Sequence, residues 1–240
     1  FYIPSESMMP GLRTGDRLVV SKYPFGWSWV SPSFHVLPPV KGRLFGHLPK
    51  RGDIVIVTPP GTRTDYIKRV IGLPGDTVAM IDGNLILNGA AVKREARAPA
   101  LIPVDSNSPC GSPYDSALYG YRQRGPDGAD LCRVPVVRET LPNGRSYDTV
   151  ELGPRNEDNF GPVRIPADHL WLMGDNRDDS ADSRVPEERG GLGGAVPFDN
   201  IGGRAEFITF SLDGSTIWWN PLSWFKAFRA GRAGQSLRNN

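Results

Sequence analysis

The chain has 240 residues, 39% of them hydrophobic, with 28 glycines, 23 prolines and a formal net charge of only +2. That length can bury a substantial core as one large domain or two small ones, while so many chain-breakers leave little room for long helices and favour short strands joined by turns. The near-neutral balance gives nucleic-acid binding no electrostatic support, and the sequence offers no apolar run of about eighteen residues with which to span a bilayer.

The chain opens on a serine-bearing turn, Pro4-Ser5-Glu6-Ser7-Met8-Met9-Pro10. A serine hydroxyl is a weak nucleophile at neutral pH and needs a base beside it. Val19 to Tyr23 and Asp53 to Thr58 read as strands, rich in valine and isoleucine. Between them, residues 24–51 form a long irregular insert carrying Trp27, Trp29, Phe34 and Phe45. Loops of that length are uncommon unless functional or mobile.

The next segment, Asp65 to Asp76, holds Lys68. The three histidines, His35, His47 and His169, lie in no Ser-His motif, so Lys68 is the better candidate base. Written as a strand, the segment puts Tyr66, Lys68 and Val70 on one face and Ile67, Arg69 and Ile71 on the other. If the Lys68 face is buried, desolvation disfavours the ammonium and brings the amine towards the range where it accepts a proton. Asp82-Gly83 then predicts a tight hairpin, and Pro142-Asn143-Gly144 a second one over Val136 to Val150. Composition turns polar and proline-rich from about Ala91 to Pro166, which suggests an inserted β subdomain over residues 77–166. The catalytic β core then comprises residues 1–76 and 167–240. Cys110 and Cys132 are too few for tetrahedral zinc without two nearby histidines, leaving a disulfide or two buried thiols.

His169 to Met173 restarts an apolar strand that delivers the chain to the loop Gly174 to Arg184. The acidic stretch there lacks the glycine and terminal glutamate of a calcium loop, and Arg177 falls where an oxygen ligand is needed, so no metal is expected. Arg204 to Phe210 closes the core. The tail carries Trp218, Leu222 and Phe225 near helical spacing, with Pro221 in the first turn and Arg229, Arg232 and Arg238 behind. Two readings stay open: an amphipathic segment that enters a membrane surface, or aromatics packed on the protein's own core with a frayed basic end.

Taken together and in order, Pro4 to Leu12, Asp65 to Asp76 and Gly174 to Arg184 closely resemble the signature segments of bacterial type I signal peptidases. The resemblance implies a mainly β fold with an antiparallel catalytic core, an inserted second β subdomain and little helix. It implies Ser7 as nucleophile, Lys68 as general base, Ser5 as a hydroxyl donor to the oxyanion, and Ser180 as the serine that orients the lysine amine. Asp182 with Arg184, and Asp175 with Arg177, look like structural pairs holding the loop. Ile3, Met8, Leu12, Tyr66 and Ile67 are candidate pocket walls for an extended substrate. Gly11 departs from the threonine, and Glu6 from the small residue, that many relatives carry. The implied partners are signal-peptide-bearing preproteins, cut after small residues of Ala-X-Ala type, and a membrane surface; no cofactor, metal or nucleic acid is implied. The implied location is the bacterial inner membrane with the catalytic domain on the periplasmic face, after loss of an N-terminal anchor; that compartment permits a Cys110–Cys132 disulfide. The alternatives are an idle peptide-binding module and another Ser/Lys protease such as a self-cleaving repressor, although neither a DNA-binding region nor an internal cleavage site is visible.

Overall fold

The structure, a computed structural model, describes residues 1–32, 38, 40–111, 118–217 and 219–238; Phe34, His35 and Trp218 lie outside these. The first strands are β1 (Asp16–Ser21), β2 (Ile54–Val57) and β3 (Tyr66–Gly72). Next come β4 (Thr77–Ile81), β5 (Asn84–Leu87), β6 (Ala90–Ala91) and β7 (Lys93–Pro103). Then follow β8 (Arg122–Arg124), β9 (Asp130–Thr140), β10 (Ser146–Val150) and β11 (Phe160–Arg164). The chain closes with β12 (His169–Met173), β13 (Val196–Pro197), β14 (Ile201–Ser211) and a short helix, α1 (Pro221–Lys226).

These strands make three antiparallel sheets. The first has six strands in the order β1-β14-β2-β3-β12-β13, so it draws only on residues before 73 and after 168. The second is β10-β9-β7 with β8 added on β9, and the third is β11-β4-β5-β6. The fold is mainly β, as the glycine and proline content implies. Both hairpins form where expected: β4 pairs β5 across Asp82 and Gly83, and both turn residues have positive φ, 47° and 72°. Two successive positive φ values are what a two-residue hairpin with the strands' own twist demands, and glycine takes the second without steric cost.

Strand β2 shows how the six-stranded sheet is buried. Ile54 and Ile56 pack with Ile3, Met8, Leu12 and Ile67, while Val55 and Val57 pack with Phe25, Val70, Leu170 and Leu172. Alternation sends neighbours to opposite faces, and both faces are covered, so the strand is apolar throughout. The first strand begins at Asp16 rather than Val19. The polar Asp16 enters the sheet because Arg232 neutralises it in the interior, leaving the aspartate fully buried.

Cys110 and Cys132 form a disulfide with Cα atoms 5.4 Å apart. In the tail, α1 has Pro221 in its first turn and is capped by Asn220, whose side chain accepts the Leu222 N–H at 3.2 Å. Its large apolar side chains do not join the core: Leu222 is 71% and Phe225 76% exposed. The basic end is not frayed, however, since Arg229, Arg232 and Arg238 pair with Asp105, Asp16 and Glu206. Among the described residues no helix is long and apolar enough to cross a membrane.

Candidate active site

The serine turn hangs from the start of β1. Ile3 donates its N–H to Asp16 O at 2.9 Å and accepts from Gly15 N–H at 3.0 Å, which fixes the chain two residues before Ser5. The turn then closes on itself, Met9 N–H to Glu6 O at 3.0 Å and Leu12 N–H to Met8 O at 2.9 Å. Met8 and Leu12 are fully buried, so the hydrophobic effect seats the turn and leaves Ser7 facing β3.

There Ser7 Oγ lies 3.1 Å from Lys68 Nζ and 3.3 Å from Ser5 Oγ. Ser7 is 7% exposed and Lys68 3%. The Tyr66 ring, on the same face of β3, stands 5.6 Å from the amine. Burial lowers the Lys68 pKa to about 8; Asp182, Asp175 and Asp179 resist that shift and Arg184 assists it. Desolvation prevails because an ammonium deprived of water loses more than distant carboxylates restore. Among the described residues the Ser7 N–H has no acceptor, leaving a donor beside the hydroxyl that Ser5 presents.

The loop from Gly174 to Arg184 forms the third side. Asn176, fully buried, gives its backbone N–H to Ser7 O at 3.0 Å and its side-chain amide to Glu6 O at 3.3 Å. It clamps the turn on both sides of Ser7, and sequence reading passed over it because an asparagine in a polar loop carries no distinctive signal. Gly174 makes the approach possible: a Cβ there would meet Ser180 Oγ at 2.1 Å and Ser7 O at 2.5 Å. Ser180 is therefore packed against the turn, but among the described residues its buried hydroxyl makes no hydrogen bond, to Lys68 or to any other group.

The expected ion pairs are half right. Asp182 and Arg184 do pair, and Asp182 also accepts the Gly174 N–H at 2.9 Å. Asp175 and Arg177 do not pair with each other. Residues 175–177 run extended beside Val150, so Asp175 and Arg177 reach one side while Asn176 turns to Ser7. On that side Asp175 takes both ends of Arg69, at 2.7 and 2.6 Å, and Arg177 takes both oxygens of Glu139. Each two-pronged pairing across strands outcompetes the contact between near neighbours. Arg69 also covers the Tyr147 ring at 4.2 Å, and Tyr147 Oη donates to Glu139 at 2.8 Å.

Of the expected pocket walls, Ile3, Met8, Leu12 and Ile67 form one closed cluster that backs the turn. Tyr66 is half-exposed, its hydroxyl donating to Gly190 O at 3.0 Å. Glu6, between the two serines, has its carboxyl pushed up to about 7 by burial and by the nearby Asp179 charge. Among the described residues no cluster of His, Cys, Asp or Glu is placed to hold a metal ion.

A serine hydroxyl against a buried, easily deprotonated amine, with an unpaired backbone N–H and a second hydroxyl alongside, is chemically equipped for acyl transfer without histidine: the class is a serine hydrolase. The sequence signature described as signal peptidase, peptidase S26, matches residues 1–210. Signal peptidase I of Rickettsia typhi (strain ATCC VR-144 / Wilmington) is 34% identical over 259 aligned residues, covering all of this chain and 85% of that protein. The enzyme of the same name from Rickettsia bellii (strain OSU 85-389) is 34% identical over 229, covering 92% and 68%. A crystal structure of a signal peptidase I from Enterococcus faecalis V583 overlaps 66% of this chain and 97% of its own, at 20% identity and a TM-score of 0.33, too loosely to carry any inference. The chain belongs to the signal peptidase family, peptidase S26, and is a serine endopeptidase.

Proposed function

We propose that this endopeptidase cleaves signal peptides from exported preproteins with Ser7 as nucleophile and Lys68 as general base. The observation that carries the reading is the 3.1 Å contact between Lys68 Nζ and Ser7 Oγ in a buried setting. Neutral Lys68 takes the Ser7 proton as the hydroxyl attacks the scissile carbonyl, and the tetrahedral oxyanion forms beside the Ser5 hydroxyl and Ser7 N–H. Lys68 then protonates the leaving amine and activates the water that releases the acyl-enzyme. We read Ser180, packed against Gly174 beside the turn, as the residue that orients the amine.

The substrate adds as an extended strand beside Tyr66, with small side chains of the Ala-X-Ala type before the cut; Ile3, Met8, Leu12 and Ile67 are closed core that seats the serine turn rather than pocket wall. Exposed Trp219, Leu222, Trp224, Phe225 and Phe228 form an aromatic surface suited to the bilayer interface, where tethered preproteins arrive. We read residues 77–166, with their two sheets, as a subdomain inserted into the catalytic core.

Cleavage of a signal-peptide-bearing preprotein in detergent tests the reading. Cutting after a small residue should be abolished by both Ser7→Ala and Lys68→Ala. Survival of cleavage in Lys68→Ala would displace the base; binding without turnover by the parent chain would favour an idle groove.

A further inference from the structure

Strand β3 carries Lys68 to one face and Arg69 to the other, and behind Arg69 lies a cavity of about 1000 Å³ that neither Ser7 nor Lys68 lines. Six arginines border it, Arg13, Arg69, Arg97, Arg138, Arg145 and Arg238, against two carboxylates, Asp148 and Asp175. Both carboxylates are already committed, Asp175 to Arg69 and Asp148 to Arg138. Arg145 and Arg238 pair outside the lining, with Asp53 and Glu206. Arg13 and Arg97 remain: among the described residues neither side chain has an ion pair or hydrogen-bond partner.

Arg13 is the telling one. Its Nε is shut off from solvent without a partner, and Arg232 and Arg229, already committed to Asp16 and Asp105, stand close enough to repel it. Burial and those two charges lower its pKa to about 10. The carboxylates that attract it, Asp16 and Asp105, are already bonded to Arg232 and Arg229, and a half-buried guanidinium with no hydrogen-bonded anion of its own is costly. Small residues of β7, Ala96, Ala98 and Ala100, keep the floor open. Guanidinium forks match the oxygen spacing of a phosphate group, and the volume suits a phosphate-bearing molecule rather than a chloride ion.

We propose that this cavity is a binding site for a phosphate group, held by Arg13 and Arg97 on the face of β3 opposite the serine–lysine pair. The proposal does not depend on the assignment of Ser7 and Lys68. Arg69 and Asp175, which brace the active-site loop, line the same cavity, so an occupant would stiffen the brace from behind.

Inorganic phosphate, titrated calorimetrically into the intact protein at constant ionic strength, should bind. Arg13→Gln with Arg97→Gln should weaken that binding at least tenfold while preprotein cleavage without phosphate stays unchanged. Arg97→Gln alone, at an exposed position, should weaken it severalfold and guards against misfolding of the double variant. A second arm measures co-sedimentation with phosphatidylglycerol vesicles, phosphatidylcholine vesicles serving as control. Loss of phosphatidylglycerol-dependent binding in the variants identifies a lipid headgroup as the source; phosphate binding lost with vesicle binding intact identifies a soluble one. If wild type binds neither probe, or the variants bind both as well as wild type, the proposal is wrong.

Discussion

Lys68 illustrates an exchange of stability for reactivity at a single residue. In the unfolded chain its amine titrates near the ordinary lysine value, and in the folded protein near 8. Between those values the unfolded state binds the extra proton, so stability should rise with pH across roughly 8 to 10.5. At pH 7 that difference costs the fold about 3 kcal/mol. Replacing Lys68 by methionine, similar in length and apolar, should therefore raise stability at pH 7 by about that amount while abolishing cleavage. Urea unfolding of both proteins at pH 7 and pH 10 checks this: the gap should shrink at the higher pH, and a constant gap would mean that packing, not desolvation, is responsible. The same titration predicts that kcat/KM of the wild type rises with pH to a plateau, with a midpoint near 8. A midpoint close to the free lysine value would contradict the buried base.

At the scale of elements, the second β sheet holds the active-site loop through charges rather than apolar packing alone. Glu139 on β9 and Tyr147 on β10 fix Arg177, and Arg69 on β3 fixes Asp175, with every one of these side chains buried. Arg177 is not among the largest influences on Lys68. Glu139→Gln should therefore cost about 3 kcal/mol, the penalty of leaving a buried guanidinium poorly paired, and lower kcat by displacing the loop. The pH midpoint should stay near 8, and a displaced midpoint would show that Glu139 tunes the base electrostatically. These pairings mark where sequence reading stopped. The hairpins, β3 and β12 were legible because turn chemistry and apolar runs are local signals. Ser7, Lys68 and the Asp182–Arg184 pair were legible because they sit in short, distinctive segments. The partners of Asp175 and Arg177 were not, since a carboxylate 38 positions from its arginine, as Glu139 is from Arg177, leaves no local trace. Asp16 as a strand residue was illegible for the same reason.

Across the whole molecule, the end of the chain completes its beginning. Arg232 grips both oxygens of Asp16 and donates to Gly11 O at 2.9 Å, 221 positions away. Arg229 donates to Thr14 O at 2.7 Å, and Leu237 packs in the cluster that seats Met8 and Leu12. The serine turn is thus held from behind by residues 229–237, so the site cannot be finished until they dock. Such long-range closure is entropically the costliest kind, and it must be offset by strong contacts. Arg232→Gln leaves Asp16 buried without its cation and should cost about 3–5 kcal/mol, with kcat reduced because the turn loses its rear support. Asp16→Asn in the same chain removes the stranded charge and should recover a large part of that stability. The double-mutant cycle measures the coupling directly, and additive effects in unfolding experiments would refute the tail as the brace of the serine turn.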